Sequence, residues 1–224
     1  MNFTQDPAFQ WLAQYAYQPH VVYLMVFAMM MASGFGFPLP EEVTIMSVGF
    51  IAFMGANPEL FPPPFQGAPV VNAYEAAAFT TFAVLFADTF VFFLGRTFGR
   101  KIIKWNFFKQ IFNDKVNERI QKFTKKYGIY ATFIFRFTPG IRFPAHIFLG
   151  MSNMPLWKFI AVDGVAALIS VPTQVLLLYF YGQDILSLIY RFKIVLAILG
   201  LFILGFLALK KIYSLLMIAG DKAR

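Results

Sequence analysis

The sequence predicts an all-α, polytopic membrane protein with about four spanning helices and two opposed re-entrant hairpins that form an inverted repeat. Three observations predict it. The chain is 59% hydrophobic and 13% charged, with 30 Phe, whereas a soluble domain is roughly 45–50% apolar and about 25% charged. Its charge is segregated: no Lys or Arg precedes Arg96, while Asp6, Glu41, Glu42, Glu59, Glu75 and Asp88 do. Finally, two apolar stretches are interrupted by Pro and Gly and carry ionisable residues.

Residues 1–19 contain Trp11, Tyr15 and Tyr17 but no cationic leader pattern, and they predict a retained interfacial helix. Residues 20–37 read as a membrane span. The stretch 38–56 opens on Pro38-Leu39-Pro40-Glu41-Glu42 and predicts a re-entrant hairpin, because broken backbone inside hydrocarbon must be enclosed by protein or water. Pro-rich residues 57–72 lack any basic residue and predict an extended outer linker. Residues 73–95 and 155–181 are long enough to span, and each carries an interior acid, Asp88 or Asp163. Between them, ten basic residues from Arg96 to Lys126 face only Asp114 and Glu118. That segment is therefore expected on the cytoplasmic side. Within the connector 100–127, Val116, Ile120, Phe123 and Tyr127 fall on one face and Lys115, Arg119, Lys122 and Lys126 on another, which predicts an amphipathic helix lying on anionic lipid headgroups.

The stretch 128–153 contains Arg136-Phe137-Thr138-Pro139-Gly140-Ile141-Arg142 and predicts the second hairpin, broken at Pro139 and Gly140 as the first is at Pro38 and Pro40. Residues 186–224 comprise a last span, 194–213, and a tail whose Lys210, Lys211, Lys222 and Arg224 favour the cytoplasmic side.

Composition also excludes. Without Cys there is no disulfide framework, thiolate metal site or cysteine nucleophile. His20 and His146 lie far apart in sequence and in no ligand-spaced motif, so neither a metal nor another cofactor is expected. The net charge of +8 sits beside apolar spans, which favours anionic lipid over nucleic acid as partner.

The remaining charges narrow the chemistry. An ionised residue near the bilayer centre costs roughly 2.5–3.5 kcal/mol on insertion scales, so Glu41, Glu42, Asp88, Arg136, Arg142 and Asp163 are expected to share a polar cavity. Three acids of the first half and two arginines of the second sum to −1, or −2 with Asp163. Arg136 and Arg142 suit a lipid phosphate, because a guanidinium stays charged and offers planar paired donors. Glu41, Asp88 and Glu42 suit proton uptake, which would offset the phosphate's charge. Bland roles stand beside these. The arginines also suit a purely structural pairing with Glu41 and Asp88, Glu42 a helix N-terminus, and Asp163 a position near the cytoplasmic interface. Arg96 and Arg100 fit interfacial anchors, and His146 a satisfied core residue outside the primary site.

The runs Pro38-Leu39-Pro40-Glu41-Glu42 with Gly49, Asp88 with Gly95-Arg96 and Gly99, Phe135 to Arg142, and Gly150-Met151-Ser152-Asn153-Met154-Pro155 together resemble the DedA family. That family carries the VTT, or SNARE-associated, domain and is related to eukaryotic lipid scramblases. The resemblance covers about residues 20–185, and its most specific block is the Arg-x-x-Pro-Gly-x-Arg spacing with the Gly-Met-Ser tail. It implies a multi-pass protein of a bacterial cytoplasmic (inner) membrane with two opposed re-entrant loops, dependent on proton-motive force. The implied activity is a flippase for phosphate-bearing lipid, such as undecaprenyl phosphate or phosphatidylethanolamine. The family's acids and arginines carry over to Glu41, Asp88, Arg136 and Arg142. The chain departs in having Ala32, Ser33 and Gly34 where many relatives have an acid or Asn, and Ala87 and Asp163 where many have Gly and Asn. An energy-independent scramblase is the alternative. A lipid phosphatase fits less well, because His146 is the sole nucleophile or base on offer near the arginines, so no enzymatic activity is expected. A homodimer is the default oligomer.

Overall fold

The structure, a computed structural model, describes residues 7–35, 41–102, 114–138, 141–152, 154–185 and 187–188. Every regular element among them is helical. A short α1 (Pro7–Ala13) and a 3-10 turn (Gln14–Tyr17) lead into α2 (Pro19–Gly34). Then follow α3 (Glu41–Ala56), α4 (Ala73–Ile102), α5 (Asp114–Tyr127), α6 (Ala131–Arg136), α7 (Arg142–Met151) and α8 (Leu156–Ile185). The chain divides into two units, and Thr4–Phe180 contains all the packing considered below. In the other unit, residues 181–185 and 187–188 are helical. The expected span 194–213, the basic tail, and Pro38, Pro40, Pro139 and Gly140 lie outside the described residues.

Local chemistry accounts for the helix ends. Pro19 occupies the first turn of α2, where its missing N–H costs nothing. Asn72 caps α4: its Oδ1 accepts from the N–H groups of Tyr74 (2.9 Å) and Glu75 (3.2 Å). Glu41 and Glu42 in the first turn of α3, and Lys125 and Lys126 in the last turn of α5, each suit the helix dipole. Pro155 starts α8 by accepting from the N–H groups of Lys158 and Phe159.

α4 and α8 are long and apolar enough to cross a membrane. α2 is not: its 16 residues extend about 24 Å, short of a hydrocarbon core of about 30 Å. Within the expected span 20–37, α2 is thus a shorter apolar helix, and residues 36–40 lie outside the described residues. α2 and α3 are instead the two arms of one antiparallel hairpin, bridged by Thr44 Oγ1 donating to Met29 Sδ at 3.8 Å. Both arms end at the same level. Tyr17 OH donates to Phe61 O (2.6 Å), and Val71 N donates to Ala16 O (2.9 Å). These bonds tie the entrance of α2 to residues 57–72, which follow α3, contain only turns and irregular backbone, and lead straight into α4. The hairpin tip reaches the middle of α4, where Gly34 lies against Ala87 and Val91. Tyr23 stacks on Phe79 and Phe27 packs on Phe86 along the same seam.

α6 and α7 make a second, shorter helical pair that approaches from the other end of α4. Arg142, at the start of α7, is beside Asp88, whereas Gly150, near its end, is beside Phe92 and Arg96. Close approach demands glycine here: a Cβ at Gly95 would fall on the backbone of Ile147, and one at Gly150 on the backbone of Phe92 and Arg96. A core of Phe92, Ile120, Phe135, Ala145, Leu149 and Phe159 locks α4, α5, α6, α7 and α8 together. Of the apolar stripe of α5, Ile120 is buried in that core and Phe123 packs partly against it, while Tyr127 stays exposed. The basic face of α5 remains open, forming with Phe123 and Tyr127 a groove of about 420 Å³.

Candidate functional site

The two helical pairs meet at a buried cluster of charge. α4 brings Asp88 from its middle, α3 brings Glu41 as its first residue, and α7 brings Arg142 as its first residue. α6 ends on Arg136, and α8 contributes Asp163 from its third turn. The helix breaks explain this convergence, because each sets a charged residue at a helix terminus near the centre of the bundle.

Asp88 is the hub. Its Oδ2 accepts from Arg136 Nη1 at 3.1 Å and from Arg142 Nη2 at 2.5 Å, and its Oδ1 lies 3.2 Å from His146 Nδ1. Arg142 Nη1 also pairs with Glu41 Oε2, so one guanidinium joins the two hairpins. Arg136 Nη1 donates further to Asp163 Oδ1 at 3.1 Å, and its Nε donates to Ser170 Oγ at 3.1 Å. Arg136 is thus committed on both edges, and its side chain is 3% exposed. Arg142 is the most open ion-pair member, with 17% of its side chain exposed, and its Nε has no hydrogen-bond partner among the described residues. With His146 neutral, three carboxylates and two guanidinium groups sum to −1.

Sequence reasoning brought Glu41, Asp88, Arg136 and Arg142 to one site, and the structure places them together. One position comes out differently. Glu42 is exposed and outside the cluster, since neighbouring residues on a helix point about 100° apart. Asp163, expected either in the shared cavity or near the cytoplasmic interface, is fully buried on Arg136 and so belongs to the cluster. His146 and Ser170 were missed. Signals existed for both: His146 follows Arg142 by four residues and Ser170 follows Asp163 by seven, each on the same helix face. Arg96 sits apart from the cluster. Its guanidinium donates to the Met154 carbonyl, and more weakly to Gly150 O, closing the C-terminal end of α7 while stacking over Phe92 at 4.9 Å. The side chain of Arg100 lies outside the described residues. No group of three or more Asp, Glu or His among the described residues is arranged to hold a metal ion.

Such a cluster gathers carboxylates around guanidinium donors of a kind suited to an anion. The first turns of α3 and α7 both end at it, adding backbone N–H groups that have no partner within their own helices.

Comparison with known proteins gives the family. The VTT domain matches residues 18–183. An uncharacterized membrane protein of Haemophilus influenzae is 30% identical over 156 residues, 69% of this chain and 68% of that protein. The membrane protein YbfM of Bacillus subtilis is 29% identical over 65% of this chain and 81% of its own length. A protein of Borreliella burgdorferi described as an inner membrane protein is 24% identical over 80% of this chain and 78% of its own length. No solved structure matches. The apolar α4 and α8, the charged cluster between two opposed helical pairs and the domain match over most of the chain agree: this is a membrane protein of the VTT-domain (DedA, SNARE-associated) family.

Proposed function

We propose that the protein is a proton-coupled flippase for a phosphate-bearing lipid such as undecaprenyl phosphate or phosphatidylethanolamine. The observation that carries this reading is the sharing of Arg142 between Glu41 and Asp88 where the starts of α3 and α7 reach the middle of α4. A phosphate entering a cluster of charge −1 adds negative charge in a poorly hydrated place, which is unfavourable. A proton on Glu41 or Asp88 removes one negative charge and frees guanidinium donors at the same time. The phosphate then takes the vacated face of Arg142, the more open arginine, while Arg136 holds Asp163 and Ser170. Backbone N–H groups of α3 and α7 complete the anion's shell.

In this account α2–α3 and α6–α7 are re-entrant hairpins entering from opposite leaflets, and α4 and α8 are the spans that flank them. Glu41 and Arg142 each begin the second arm of their pair, α3 and α7, and Asp88 and Asp163 lie on the long helix that follows each, the order an inverted repeat would have. The lipid headgroup crosses through the cluster while its tails stay in hydrocarbon. The basic face of α5 rests on anionic headgroups of the cytoplasmic leaflet.

The test is lipid translocation in proteoliposomes, comparing undecaprenyl phosphate with phosphatidylethanolamine, with and without an inward proton gradient. Gradient-driven movement of one phosphate lipid, lost in Arg142→Ala, supports the flippase. Equal movement of every lipid without a gradient makes the protein a scramblase, and release of inorganic phosphate makes it an enzyme.

A further inference from the structure

We infer that His146 is the residue on which the proton first lands, at Nε2, and from which it passes through Nδ1 to Asp88. The consequence for transport rests on the carrier reading above; the proton binding does not.

His146 is 1% exposed, with Nδ1 3.2 Å from Asp88 Oδ1 and its ring edge against Phe159, centroids 5.1 Å apart at 86°. A carboxylate only accepts, so the proton of the neutral imidazole sits on Nδ1. That leaves Nε2 as a buried lone pair, and it has no partner among the described residues. The charged groups around the imidazole are Asp88 from α4, Asp163 from α8, Arg136 from α6 and Arg142 from one turn earlier on α7. Glu41 from α3 acts through Arg142. Their sum is −1, so one added proton makes the cluster neutral. Among the acceptors, Asp163 Oδ2 is also without a partner among the described residues, but Glu41, Asp88 and Asp163 each pair with an arginine, and protonating any of them takes the charge out of an ion pair. Protonating Nε2 breaks none.

The step balances. A proton binds Nε2, and the Nδ1 proton moves to Asp88 Oδ1. The imidazole is left neutral as the Nε2–H tautomer and Asp88 as the uncharged acid. Arg142 Nη2 and Arg136 Nη1 lose a charged partner, and Arg142, the more exposed of the two, becomes the donor offered to an anion.

Only two histidines occur in the chain, and His20 is exposed at the start of α2, so His20→Asn leaves one imidazole to observe. In that variant, with ¹⁵N-labelled histidine in detergent micelles, ring-nitrogen shifts are expected to show the Nδ1–H tautomer at alkaline pH. As the pH is lowered Nε2 should gain a proton, seen as the doubly protonated ring or, once Nδ1 has passed its proton to Asp88, as the Nε2–H tautomer. Asp88→Asn is expected to move that change to a different pH; if this variant does not fold, Asp163→Asn serves, because it alters the same charge sum. An Nε2 that stays unprotonated at every pH, or an Nε2–H tautomer already at alkaline pH, overturns the inference. Since no lipid is involved, that failure is separate from failure of the transport reading. In proteoliposomes His146→Asn should lower gradient-driven translocation at least about tenfold and flatten its pH profile, as expected when a positioned acid–base group is lost. An unchanged pH profile counts against the inference.

Discussion

Replacing Arg136 by methionine should expose how much of the bundle depends on the cluster. Methionine keeps an apolar stem in the same space, so the perturbation is mainly electrostatic. Arg136 Nη1 serves Asp88 and Asp163 at 3.1 Å each, and its side chain is nearly inaccessible. Asp88 retains Arg142 and His146, but among the described residues Asp163 has no other cation in ion-pair range. The cluster charge falls from −1 to −2 with one carboxylate orphaned. Removing one partner of a buried pair costs about 3–5 kcal/mol. At about 2–4 °C per kcal/mol for a chain of this size, melting should drop by roughly 10 °C. Adding Asp163→Asn removes the orphaned charge and returns the sum to −1, so at least half of the loss should be regained. Thermal unfolding of the detergent-purified protein, followed by near-UV circular dichroism, measures both. An Arg136→Met protein melting within about 2 °C of wild type, or a double variant no better than the single, would refute the buried triad.

Three further outcomes follow from the packing. Gly150→Leu drives a side chain into the backbone of α4 at Phe92 and Arg96, and should destabilise by at least the 1–3 kcal/mol, approximately, of ordinary overpacking, read as lost yield of folded protein on size-exclusion chromatography. Tyr17→Phe removes the bond to Phe61 O, about 1 kcal/mol, and should speed protease cleavage within residues 57–72 while leaving the rest of the digestion pattern intact. Because the chain has no Cys, single cysteines report topology cleanly. With a membrane-impermeant maleimide, Gln10→Cys and Glu59→Cys should label from one side and Lys122→Cys from the other, and labelling of the first two from opposite sides contradicts the α2–α3 hairpin.

Much of the site was legible because charge inside an apolar chain is costly, and the costly residues had to find each other. Glu41, Asp88, Arg136 and Arg142 were recognisable on that ground. What hydropathy could not reveal is direction. A run of apolar residues over 20–37 does not say which neighbour it packs against, and the bonds from Tyr17 to Phe61 and from Val71 to Ala16 show that α2 and α3 share one end. Glu42 was included because it adjoins Glu41, although one helix step turns a side chain away from its neighbour's face. His146 was set aside as a lone histidine; read as the residue one turn after Arg142, it belongs to the same face and the same carboxylate. The apolar stripe of α5 was legible as periodicity, but not that Ile120 would enter the core with Phe92 and Phe159 while Tyr127 stayed exposed.

The exchange of a proton for an ion pair at Arg142 is the centre of this account, and proton movement tests it most directly. Proteoliposomes containing an internal pH indicator would be given undecaprenyl phosphate, and in parallel phosphatidylethanolamine, at the outer leaflet without an imposed gradient. The account predicts internal acidification that begins with addition of the transported phosphate lipid and is absent in Glu41→Gln, Asp88→Asn and Arg142→Ala. Lipid translocation with no accompanying proton movement, or acidification of equal size in all three variants, would contradict it.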